Sequence, residues 1–178
     1  MSTSRWAAVV DALVSTMRAT SGFRSPRAVA LEAQILVLDG PEWQMAGDPG
    51  PAFLVIGGSI EDDATGDSGQ VYATIGNRTR DENGSVMCNA VAQLGGVNLT
   101  DPDLISNVPQ DTWKTLRATT FAIMASLEGA IRTDPTLGIS NVPRMEITMG
   151  TRIVPRQYLT EHGAVVSVTF AVDYVTRI

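Results

Sequence analysis

The sequence predicts an α+β fold: an antiparallel or mixed sheet of about five to six strands with two main helices packed on one face. Three observations carry this. Apolar residues follow a helical period in two stretches, while elsewhere they alternate or run continuously as in strands. The order along the chain is helix, four strands, helix, two strands, without the repeated strand–helix alternation of a doubly wound parallel sheet. The 178 residues are 44% hydrophobic. That suits one domain, 1–178, which buries roughly 70% of its unfolded surface without a disulfide or metal staple.

Trp6, Val9, Val10, Leu13, Val14 and Met17 recur at steps of three and four, so a helix is expected over roughly 4–19, with Ser4 as its N-cap and Gly22 as its end. The run 35–38 reads as a buried strand closed by a turn at Asp39, Gly40 and Pro41. After a break around Gly50, Phe53 to Ile56 reads as a second buried strand. Val71, Ala73 and Ile75 alternate with polar neighbours as on a half-buried strand, and Asn83-Gly84 signals a hairpin turn. A further strand follows, with Val86, Cys88, Ala90, Ala92 and Leu94 on one face. A loop over 95–108 leads to the second helix, with Pro109 in its first turn, a stripe through Trp113, Leu116, Ile123, Met124, Leu127 and Ile131, and Pro135 as its stop. Met145, Ile147 and Met149 share one face of a strand that Pro155 is expected to break. The last strand is the cleanest, with Val166, Val168, Phe170, Val172 and Tyr174 facing a core and Ser167, Thr169, Ala171 and Asp173 facing a wetter side.

The net charge of -6, from 13 basic and 19 acidic residues, argues against wrapping nucleic acid, which requires a basic face. A single cysteine makes no internal disulfide, no apolar run is long enough to span a membrane, and the first residues lack a signal-peptide pattern, so synthesis in a reducing cytoplasm is expected. The one histidine, His162, falls in a turn without a partner for triad chemistry, and Cys88 reads as a small core residue. One Cys and one His make no closed zinc site, and no phosphate-cradling glycine loop is present. Neither a catalytic set nor a cofactor is expected.

Between the second and third strands lies an acidic loop, 57–70, expected to protrude. It carries four glycines and the four carboxylates of Glu61, Asp62, Asp63 and Asp67. These are hard oxygen donors, but they lack the every-second-residue order and distant Glu of an EF-hand. A solvated or partner-facing arm is the alternative. Arg78, Arg80, Asp81 and Glu82 form a charged hairpin tip, read as a solvated face or as a contact to another subunit. Together these eight residues are the candidate interface.

Gly76, Arg80, Glu82 and Val86 within 72–86 resemble the Gly-x-x-x-Arg-x-Glu-x-x-x-Val stretch that enters a strand in tail terminator proteins of long-tailed actinobacterial phages. The stretch 128–138, which opens Glu128-Gly129-Ala130-Ile131-Arg132, and the final alternating strand are similar to that family as well. The resemblance implies a small sheet flanked by helices and six copies in a ring at the head-proximal end of the tail tube. Such a ring stops tube polymerisation and docks the head-side connector, while genome DNA passes through its lumen without specific binding. It implies no catalytic site and a location in the virion. Two other structural roles, a head–tail connector or stopper and the tube protein itself, stay open. So does a divalent-cation-dependent enzyme or binding module built on the acidic loop.

Overall fold

The computed structural model describes residues 4–25, 34–40, 50–58, 66–72, 80–95, 108–140, 144–160 and 163–177, with the backbone alone for 66–72 and Arg80. Helix α1 (Trp6–Ala19) is followed by strands β1 (Phe23–Arg24), β2 (Ile35–Asp39), β3 (Ala52–Ile56), β4 (Gly66–Tyr72) and β5 (Arg80–Gly95). Helix α2 (Gln110–Thr133) then leads to β6 (Met145–Thr160) and β7 (Gly163–Arg177). The strands form one mixed sheet in the order β1-β2-β3-β5-β7-β6, with β4 paired to β5. The pairs β1–β2 and β2–β3 are parallel and the rest antiparallel. The predicted α+β class is the one observed.

Both helices lie over one face. Val9, Leu13 and Met17 of α1 and Ile123 and Leu127 of α2 are wholly buried against Leu54 and Ile56, Cys88 and Ala90, and Val168, Phe170 and Val172. The predicted helical stripes are mostly the buried ones: Trp6, Trp113 and Met124 are only partly buried, and Thr120 joins the buried face of α2. At the start of α1 the cap position falls to Arg5 rather than Ser4, whose hydroxyl still accepts the Trp6 N–H at 3.2 Å. The opposite face of the sheet was expected to be wetter. It is so at the exposed Asp173 and the half-buried Thr169, but Ser167 and Ala171 are buried, and the face carries a second buried apolar cluster made of Leu36, Leu38, Phe53, Val55, Val91 and Val165. Buried on both faces, β2 and β3 read as unbroken apolar runs for that reason.

Three expectations are corrected. The acidic loop was placed at 57–70, yet 66–72 is strand, with Gly66 opposite Val86 and Gln70 opposite Glu82. β3 and β4 run along the same edge of β5, so they share one lane: Ile56 pairs with Cys88 and Gly66 resumes at Val86. Glycine and aspartate have poor strand propensity, and the ready-made edge of β5 overrides it. The turn expected at Asn83-Gly84 lies inside β5, where Gly84 is opposite both Ser68 and Tyr174. The chain reverses between Tyr72 and Arg80 instead. Finally, Pro155 does not break β6. That strand is at the edge of the sheet, so a residue without an N–H loses no ladder bond on its open side, and a register shift between Met149 and Ile153 absorbs the irregularity.

Candidate functional site

The charged end of the long strands is where the sequence placed its candidate contacts. Glu82 alternates in phase with Val86 and Cys88, so β5 turns it inward beneath α1, where it is wholly buried. Its Oε1 accepts hydrogen bonds from the Ser4 hydroxyl at 2.6 Å and the Tyr174 hydroxyl at 2.7 Å. Both carboxylate oxygens accept the Arg5 N–H at 3.1 Å. A helix N-terminus carries partial positive charge and unpaired N–H groups, so a carboxylate there is well placed. Beside it the Trp6 indole donates to the Ser85 carbonyl at 3.2 Å. Glu82 therefore ties α1 to β5 and β7 from the inside. It is not on a solvated tip and offers no atom to a neighbouring subunit.

Asp81 faces the other way and meets its register partner Arg177 on β7. The guanidinium donates from Nε to Oδ1 at 2.9 Å and from Nη2 to Oδ2 at 3.3 Å. The Arg177 hydrogen bond holds the Asp81 carboxyl below its usual range, against a smaller opposing effect of desolvation. Asp67 belongs to the backbone of β4 opposite Ser85, and Arg80 opens β5 opposite Tyr72. Glu61, Asp62, Asp63 and Arg78 lie outside the described residues, as does His162. The structure thus brings Asp81 and Glu82 together on one strand and sends them to opposite faces. The partners Ser4, Tyr174 and Arg177 were missed. The parity of β5 was the available signal, and the turn assigned to Asn83-Gly84 hid it.

The reactive groups have structural surroundings. Cys88 is wholly buried, and desolvation pushes its thiol up to about 12, so it stays protonated at neutral pH. Among the described residues no group of three or more His, Cys, Asp or Glu side chains could hold a metal ion. Among them also, no helix is long and apolar enough to cross a membrane. No protein-family model matches this chain, and no curated protein matches it either.

Among the described residues, open grooves flank the helices. One, of about 630 Å³, runs between the C-terminal turns of α2 and the first half of β6. Ile131, Met145, Ile147 and Met149 line it, and the Arg132–Glu128 and Arg144–Glu146 ion pairs are at its rim. Another, of about 500 Å³, lies between Thr16 and Thr20 of α1 and Gly129 and Thr133 of α2. The β6 edge beside the first groove is guarded against strand pairing: the Ile147 N–H donates to the Pro135 carbonyl at 2.9 Å. The irregularity after Met149, Pro155 and the exposed Arg152 and Arg156 follow along the same edge. These are devices by which proteins blunt an open sheet edge.

Proposed function

We propose that this chain is a structural virion subunit, a tail terminator that forms a ring at the head-proximal end of a phage tail tube. The observation that carries the reading is the use made of the charged and nucleophilic side chains. Glu82 and Asp81 are consumed by internal bonds to Ser4, Arg5, Tyr174 and Arg177, and Cys88 is a protonated core residue. These described groups serve the fold itself. The resemblance of the 72–86 and 128–138 stretches to tail terminators supplies the kind of assembly. A six-membered ring of such subunits would stop tube growth, meet the head-side connector and leave a lumen for DNA. A net charge of -6 per subunit suits a conduit that must release phosphates rather than grip them.

The test is assembly of tails with and without this protein, imaged by electron microscopy. Without it, tubes are expected to overgrow or to fail to join heads. Tails of unchanged fixed length that still join heads would overturn the reading.

A further inference from the structure

Helix α2 turns a second face outward, opposite the stripe it buries against the sheet. Thr115, Ala118, Phe121, Ala122, Ala125 and Gly129 lie on it at steps of three and four, and each is exposed. Phe121, at the centre, is 39% exposed. A Cβ on Gly129 would meet nothing within 4 Å, so the face is open there. A solvated helix face normally collects charged groups. Between Lys114 and Glu128 this one has none, because Arg117 leans sideways to the Gln157 side chain of β6.

Charge returns at the two ends. Asp111 and Lys114 stand at the start of the helix, and Glu128 and Arg132 at its end. Arg132 is held by Glu128 at 2.6 Å and keeps most of its side chain in solvent. The pattern is complementary to itself when reversed. With a two-fold axis between Phe121 and Ala122, Asp111 of one copy falls opposite Arg132 of a second copy, and Lys114 falls beside Glu128. Ala118 then meets Ala125, and each Phe121 lies on the other copy's Ala122. A parallel arrangement would instead set Asp111 on Asp111 and Arg132 on Arg132. The antiparallel one also opposes the two helix dipoles. Small side chains allow the axes to approach to the near end of the usual ~8–10 Å.

We propose that the outer face of α2 pairs antiparallel with the same face of a second copy of this chain, with Phe121 as the central anchor. Both copies use one patch, so the contact is two-fold and closes on itself. It does not rest on the ring reading, in which neighbours meet through two different faces.

Sedimentation of the whole protein tests it, with circular dichroism to check that each variant folds. The wild type is expected to form dimers, and Phe121→Glu to weaken them at least ~10-fold. Arg132→Glu sets a carboxylate against Asp111 in both symmetric pairs and is expected to weaken them at least ~3-fold at low salt. Adding Asp111→Lys to Arg132→Glu is expected to restore them, because the swapped charges meet again. Oxidation then reads the register, since Cys88 is wholly buried and offers no competing thiol. A mixture of Ala118→Cys and Ala125→Cys variants is expected to form a mixed disulfide, and either variant alone to form little, its two thiols being about 10 Å apart along the axis. A wild type that stays monomeric at millimolar concentration overturns the contact. So does a folded Phe121→Glu that associates like the wild type, a charge swap that fails to restore, or equal cross-linking in a single variant. Phe121→Glu that leaves association unchanged but blocks tail joining would assign this face to a different protein. The ring reading is judged separately, on tails.

Discussion

Glu82 shows how one side chain can be read correctly in phase and wrongly in place. Its even spacing from Val86 points inward, and the structure gives it three donor groups, Ser4, Arg5 and Tyr174. Glu82→Ala leaves these donors, the buried Tyr174 hydroxyl among them, without an acceptor and is expected to cost about 2–4 kcal/mol in urea unfolding. Tyr174→Phe removes one bond of the set and is expected to cost about 1 kcal/mol. Asp81 and Asp134 are both held below the usual carboxylate range, Asp81 by Arg177 and Asp134 by the Thr136 hydroxyl and nearby backbone N–H groups. A lowered folded-state value stabilises the fold above the unfolded-state value and loses that contribution as pH falls through the folded-state value. The difference in melting temperature between wild type and Asp81→Asn is therefore expected to shrink as pH drops below about 4. A difference that stays constant down to pH 2 would remove the Arg177 pairing as its cause. Asn89 is the converse case: wholly buried, it finds no hydrogen-bond partner for either amide atom among the described residues. Asn89→Leu, close in size, is expected to leave stability unchanged or to raise it in thermal unfolding.

Among the elements, both helices and the last strand were legible because their apolar period is unambiguous. β4 was not, because its residues have little strand preference and only the neighbouring β5 edge makes them one. β6 was half legible: Met145, Ile147 and Met149 alternate, but the tolerance of Pro155 depends on the strand's edge position. Backbone approach leaves its own marks. A Cβ on Gly150, where β6 loses register, would sit 3.0 Å from the Ala171 carbonyl oxygen and Cβ and from Asp173 Oδ2. Gly150→Ala is expected to cost about 1–3 kcal/mol by chemical denaturation. A Cβ on Gly40 would lie 2.6 Å from the Gly57 carbonyl oxygen, where the ends of β2 and β3 touch backbone to backbone. Gly40→Ala is expected to be the worse of the two, because its approach to backbone is closer, 2.6 Å against 3.0 Å. Equal stabilities of both variants and the wild type would contradict these contacts.

For the whole molecule, one apolar cluster ties α1 and α2 to β3, β5, β6 and β7. A domain with so continuous a core is expected to unfold in one step, with tryptophan fluorescence and circular dichroism giving the same urea midpoint. Phe170, wholly buried beneath the helices, is the sharpest probe: Phe170→Ala is expected to cost about 3–5 kcal/mol in the same assay. Separate midpoints for the two signals would divide the core into independent units.

The sequence by itself determined the α+β class, the two helices, their buried stripes and the core face of β7. Each of these follows from a local period that a single amphipathic element must satisfy. Only the tertiary structure decided that β3 and β4 share one lane, that Asn83 and Gly84 lie within a strand, and that Asp81 and Glu82 part to opposite faces. Those outcomes depend on which strand lies beside which, and backbone pairing between distant segments leaves no period in the chain that forms it.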